Sequence, residues 1–393
     1  MKGIQIRVSA LALSALIAVG VAIAHAEDDD STPEIMSRIV TALQIALRSS
    51  FDQASFQQPG QRAEILAALQ RLADDSERLE RHTVRSDAGL AYLSHSLAAD
   101  AREVHSRYRD GRFEQSRFLL HNVTDVCVAC HSRLPDDEGR SLGHTLLDDE
   151  TAAKLPLDQR AQYEIATRQF DRALVSFETW FADPAISPGD IDLTGEFEDY
   201  LEVSLRVRQD PLRAIDTFEK LLERDDVPDR VQLNVKIWIG SLQALEFGQP
   251  QHKPIEQARA QMRSTSTAEV ARDERSALVA AIAASGILHR YVAEQTEPSP
   301  QLGEAYYLMG VIEADVGRSF WASQTEHFLE AAIQIGPGEP YAEPALELLE
   351  AFVVTGYTGS GGQHVPADVR TRLSEMRALI DRAHGSTTQN RKP

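Results

Sequence analysis

Apolar residues recur three and four apart along nearly the whole chain, and that period constrains the fold more than any other feature. A turn of 3.6 residues brings such positions to one face, whereas a half-buried strand needs strict alternation. Between residues 32 and 135 four segments of this kind are separated by short polar breaks. The first, from about Pro33 to Ser49, starts behind Ser31 and Thr32 and carries Ile35, Ile39, Leu43, Ala46 and Leu47. The second, from about Gln61 to His82, carries Ile65, Leu69, Leu72 and Leu79. Ser86 can cap the third, whose stripe is Leu90, Leu93, Leu97, Ala101, Val104 and Tyr108. After Asp110-Gly111 the fourth runs through Leu120, Val123, Cys127, Cys130 and Leu134 and stops at Pro135. One stripe on each of four helices joined by short turns predicts an all-α fold that begins with an up-down-up-down four-helix bundle over residues 27–136.

The only two cysteines, Cys127 and Cys130, fall on the fourth segment, and His131 follows at once. Positions i, i+3 and i+4 share one helix face, and here that face continues the apolar stripe. C-x-x-C-H is the pattern of covalent c-type haem attachment, in which two thiols become thioethers and the adjacent imidazole becomes the proximal iron ligand. Two other chemistries use paired cysteines. A thioredoxin-type disulfide wants a preceding strand and the first Cys at a helix amino end, whereas this pair lies near a carboxyl end with no strand before it. Zinc needs four ligands, and no second C-x-x-C or H-x-x-x-H stands in the chain. One haem c is therefore the expected cofactor, with a disulfide or a metal site as the alternatives.

The amino terminus bears on compartment. Lys2 and Arg7 precede an apolar run that closes on Ala24-His25-Ala26, and acidic residues follow directly. That is the form of a cleaved signal peptide over residues 1–26, with an apolar core shorter than the roughly 20 residues that span a bilayer. The expected location is periplasmic, with no membrane span in the remainder. Lys and Arg total 40 against 60 Asp and Glu, and removal of the leader takes two more positive charges. An acidic surface of this size argues against nucleic acid and anionic membranes as partners.

With these residues in view, positions 27–136 resemble the class II c-type cytochromes, the cytochrome c-prime and cytochrome c556 group. The stretch LAADAREVHSRYRDGRFEQSRFLLHNVTDVCVACH has their layout: a third helix, an Asp-Gly turn, and a fourth helix ending in the haem motif. The resemblance covers about a quarter of the chain, and Ser132-Arg133-Leu134-Pro135 departs from it where the family usually carries an aromatic and a basic residue. It implies a Met early in the first helix as distal ligand in six-coordinate members, and Met36 stands there. Bundle topology brings Met36 and His82 to the end that holds the motif. Met36 is the first candidate for the distal iron position, an open five-coordinate iron is its rival, and His82 is the lesser alternative. Arg38 can reach a haem propionate as a charge-assisted pair. His95, His105 and His121 read as surface or structural residues.

Residues 137–156 are polar and punctuated and read as a linker. From Leu157 onward short paired helices alternate with turns. Ala173 and Phe177 precede Pro184; Ala214, Phe218 and Leu221 precede Pro228; Gly310, Phe328 and Ala331 precede Pro337. These segments are similar to tetratricopeptide (TPR) repeats, which place small residues where two helices touch and a Pro after the second. About five pairs fit an α-solenoid over residues 157–385, since one pair cannot bury its own apolar face; a non-repeating helical domain is the alternative. Residues 386–393 read as a disordered tail.

A repeat array is a binding surface rather than a catalyst. The sequence therefore predicts an exported monohaem electron carrier, not an enzyme, whose repeats dock a periplasmic protein partner beside a redox partner protein. The alternatives are a haem-based gas or redox sensor with five-coordinate iron and an assembly scaffold.

Overall fold

The computed structural model describes residues 30–50, 53–83, 88–131, 153–189, 195–245, 253–264, 274–295, 297–316, 324–360 and 362–389. The expected signal peptide, the Ser86 cap, Leu134 and most of the expected linker lie outside them. The described chain is all-α apart from a hairpin of two two-residue strands, β1 (Thr358–Gly359) and β2 (Gly362–Gln363).

Four long helices follow the apolar period and share one core: α1 (Thr32–Ser50), α3 (Arg62–Thr83), α4 (Ala88–Arg109) and α5 (Phe113–His131). Glu34 fixes the start of α1, because its carboxylate accepts both the Ser31 N–H (2.8 Å) and the Ser31 hydroxyl (2.9 Å). This is the helix-facing half of a capping box. Between α1 and α3 lies a short helix that the apolar period does not reveal, α2 (Gln53–Gln57). It seats the fully buried Phe56, whose carbonyl accepts the Tyr108 hydroxyl at 3.0 Å.

Side-chain bonds show that successive helices alternate in direction. Thr83 at the end of α3 bonds Ser94 near the start of α4, and the Ser116 hydroxyl in α5 donates to the Val104 carbonyl in α4 at 2.8 Å. At the far end, Ser50 of α1 receives the Arg117 guanidinium on its carbonyl and bonds His121 through its hydroxyl at 3.2 Å. The amino ends of α1 and α4, the carboxyl end of α3 and the carboxyl end of α5 thus lie together.

Residues from Leu157 onward form a second core over α6 (Leu157–Ala166), α7 (Phe170–Ala182), α8 (Glu196–Glu202), α9 (Pro211–Leu222), α10 (Asp229–Ala244), α11 (Pro254–Ser264), α12 (Glu274–Glu294), α13 (Pro300–Val316), α14 (Thr325–Ile335), α15 (Ala342–Gly356) and α16 (Ala367–Gln389). Ala173, Phe177, Ala214, Phe218 and Phe328 are all buried in it. Gly310 lies where α13 meets α14 so closely that a Cβ would stand 2.6 Å from a Leu329 methyl. Helix α8 runs into a π turn, Val203–Val207, where the buried Arg206 pairs with Glu202 and donates to the Ser285 hydroxyl on α12, each at 2.6 Å. An inserted turn of that kind shifts the register of everything after it, a physical reason for irregular spacing in the sequence.

Two expectations need correction. Helix α16 continues to Gln389, so residues 386–389 are helical where a disordered tail was expected. One later segment, Ala277–Glu294 in α12, is long and apolar enough to cross a membrane by composition, contrary to the reading that none is; 61% of it is buried inside the protein, so that apolar surface serves the core. The two helical regions also pack against each other. Leu155 and Tyr163 are buried in the first core, Val128 in the second, and Tyr92 of α4 stacks on His327 of α14.

Candidate functional site

The last turn of α5 carries Cys127, Cys130 and His131. Both cysteines are half-buried against the first core, and both are free thiols rather than a disulfide. Between them Val128 turns the other way, into the second core. The two cysteines therefore pack toward the first core, whereas Val128 and His131 reach the second region.

His131 is oriented from outside its own helix. Its Nδ1 lies 2.6 Å from the backbone carbonyl of Ala166, the last residue of α6. A carbonyl only accepts, so Nδ1 carries the proton and donates, which leaves Nε2 with a lone pair. Burial pushes the His131 imidazole down to about 4, the Arg168 charge acts in the same direction, and the bond to Ala166 opposes both. At neutral pH the ring is uncharged with one nitrogen fixed as a donor. That is the protonation state metal ligation requires, and the bond is the kind that orients ligating histidines.

Tyr163, one turn before Ala166, completes this wall. It is buried in the first core, and burial first, then the neighbouring Cys127, raises its phenol above the usual range. Helix α6 thus touches the motif twice, at Tyr163 beside Cys127 and at Ala166 on His131.

Met36 is half-buried against the first core in the second turn of α1. Ser50 lies beside Arg117 where α1 and α5 run opposite ways. Counting fourteen residues back from Ser50 and fourteen forward from Arg117, about 21 Å along each axis, brings Met36 level with His131. His82 is half-buried near the same end, in the last turn of α3. Arg38 is held by two carboxylates, Asp75 through Nε at 2.9 Å and Asp30 through Nη2 at 2.7 Å, and Arg78 joins the buried Asp75 at 2.8 Å. A propionate role for Arg38 would therefore compete with an ion pair already made. His95 is exposed and bonds Glu80 at 2.6 Å, and His121 is tied to Ser50.

Sequence reasoning missed the second-region contribution: Tyr163, the Ala166 carbonyl and Arg168. A carbonyl acceptor has no residue-type signature, and Ala166 lies 35 residues beyond its partner. Among the described residues no group of three or more His, Cys, Asp or Glu side chains is placed to hold a metal ion, which leaves His131 as a single imidazole beside two thiols. Comparison with protein-family models, with curated proteins and with solved structures finds no match to this chain.

Proposed function

We propose that this chain is an exported monohaem c-type cytochrome: a class II-like four-helix bundle over α1–α5, followed by a TPR-like solenoid from α6 onward. Haem c is attached through Cys127 and Cys130, and His131 Nε2 is the proximal iron ligand. The single observation that carries this reading is the His131–Ala166 bond, which fixes the tautomer and leaves Nε2 the lone pair an iron would need. The donor set fits a porphyrin, since two half-buried thiols one turn apart sit beside a neutral, oriented imidazole on an apolar wall.

When bound, haem c would supply a one-electron ferric/ferrous couple for exchange with a redox partner protein. The chain's own residues do the rest. Cys127 and Cys130 anchor, Val128 locks the helix to the second core, and Tyr163 keeps water from the sulfur side. Met36 is the proposed distal ligand. The helical pairs from α6 onward form the surface for a periplasmic partner.

The same bond favours a second reading, a gas or redox sensor. Because Ala166 belongs to the second region, any movement of His131 is felt in α6. Five-coordinate iron would be its signature.

Expression with c-type maturation machinery tests both. The first reading expects a covalent haem adduct by intact mass, a low-spin reduced spectrum and indifference to carbon monoxide. Ready carbon monoxide binding favours the sensor, and two free thiols with no adduct removes both.

A further inference from the structure

The buried Ser and Thr hydroxyls described in the four-helix bundle have hydrogen-bond partners, with one exception. Ser50 donates to the Leu47 carbonyl at 2.7 Å, Thr83 to Leu79 at 3.0 Å and Ser94 to Ala91 at 2.9 Å, while Ser116 crosses to Val104 at 2.8 Å. Bonding back to a carbonyl of its own helix is the ordinary recourse of such a hydroxyl. Ser76 of α3 does not take it. Its side chain is fully buried, and among the described residues its hydroxyl oxygen has no hydrogen-bond partner. A hydroxyl taken out of water and left unmet costs stability.

Ser76 follows Leu72 by four residues and precedes Leu79 by three, so it lies on the face of α3 that enters the first core. Helix α3 packs against α1 on one flank and α4 on the other. The Arg38–Asp75 bond, 2.9 Å, sets the register with α1. The two helices run in opposite directions, so Met36, two residues before Arg38, is level with Glu77, two after Asp75. Ser76 is one residue away, about 1.5 Å along the axis. Ser37, also at this height, is exposed, whereas Met36 packs on the core. The Thr83–Ser94 bond sets the register with α4, and seven residues from each brings Ser76 level with Ala101. Ala101 is fully buried, and its methyl group offers a hydroxyl nothing. Of the core-facing side chains that α1 and α4 bring to this level, Met36 is therefore the one with an acceptor, its sulfur. Three rotatable bonds let an unbranched thioether turn toward a donor.

We propose that Ser76 is a positioning residue for the distal ligand: its hydroxyl donates to the Met36 sulfur when that sulfur ligates the iron. This deepens the haem reading and rests on it, with Met36 as the distal ligand. A donor on the sulfur draws electron density away from the iron, which favours the ferrous state and raises the reduction potential.

The test uses the full chain matured with haem, with covalent attachment verified by intact mass before any titration. Ser76→Ala should lower the midpoint potential, seen as a several-fold rise in the ferric-to-ferrous ratio at a fixed poise. Ser76→Thr keeps a hydroxyl and should stay near the parent. In a Met36→Leu background, Ser76→Ala should leave the potential unchanged, because the acceptor is already gone. There it should also raise the urea midpoint, since it removes a buried hydroxyl with nothing to bond. Where the parent carries haem and refuses carbon monoxide, an equal potential in Ser76→Ala, or an equal fall with and without Met36, overturns the proposal alone. Ready carbon monoxide binding by the parent removes Met36 as ligand and this role with it. A parent that attaches no haem overturns the reading beneath both.

Discussion

Tyr92 of α4 and His327 of α14 stack ring on ring, with centroids 4.0 Å apart and planes 25° from parallel. The contact seals the second junction between the two helical regions, at the end of the first region that holds the cysteine motif. Burial, aided by the Arg372 and His95 charges, pushes His327 down to about 4. The sign follows from that direction. Above pH 6.5 the ring is neutral whether the chain is folded or not, and it contributes no pH dependence. As pH falls from 6.5 toward 4 the unfolded chain gains a proton that the folded chain refuses, so stability is lost through that window and levels off below it. His327→Phe keeps a ring against Tyr92 and removes the titration. At pH 5 the variant should resist urea better than the parent by about 2 kcal/mol, and at pH 8 the two should differ little. Parallel pH profiles would deny His327 this role.

Gly89 lies beneath the same junction. A Cβ there would collide with the Gln324 side-chain oxygen and stand 2.6 and 2.7 Å from the Phe328 ring. Gly89→Ala removes backbone freedom from the unfolded chain, which by itself stabilises a helix by up to about 1 kcal/mol. Overpacking a rigid ring costs more, about 1–3 kcal/mol. Thermal melting should therefore fall, and protease sensitivity near α14 should rise. A higher melting temperature would mean that α4 and α14 are not clamped here.

Asp75 is buried between Arg38 and Arg78. Asp75→Ala leaves both guanidiniums without their shared partner and should destabilise by about 3 kcal/mol, whereas Arg38→Ala leaves Arg78 in place and should cost about 1 kcal/mol. Chemical denaturation measures both. If Arg38→Ala is neutral for stability yet lowers haem retention, the propionate role regains ground.

The long helices were legible because each buries a stripe wide enough to set a period, and α1 and α3 begin and end within a residue of where that period does. The proposed haem motif could be named from sequence because covalent attachment would dictate both residue type and spacing. The His131 acceptor could not, since any residue offers a carbonyl and nothing local selects Ala166. Helix α2 escaped for a different reason: five residues complete little more than one turn and carry one buried side chain, Phe56. The Asp-Gly break before α5 marked a Schellman turn correctly, while the same turn after α6 was hidden because Arg168 occupies its glycine position.

Phe56 nevertheless anchors the far end of the first region. The Tyr108 hydroxyl donates to its carbonyl in a fully buried setting, and the two rings meet edge-on at 5.0 Å. Tyr108→Phe keeps the ring contact and strands the carbonyl, a loss of about 1–2 kcal/mol in equilibrium unfolding. No change would mean that another donor, such as water, replaces the phenol.

Met36 decides between the two functional readings. The α1–α5 register brings it level with His131, and its half-buried side chain packs on the same core as Cys127 and Cys130. A thioether opposite the imidazole would hold the iron low-spin and raise its potential. Met36→Leu conserves volume, so folding should change by under about 1.5 kcal/mol while the sulfur is lost. In haem-loaded protein that variant should then bind carbon monoxide where the parent does not, and its midpoint potential should fall. Should the parent itself bind carbon monoxide readily, Met36 is ordinary core packing, the distal side is open, and the bond from His131 to Ala166 becomes the route by which a bound gas would be reported to the helices beyond.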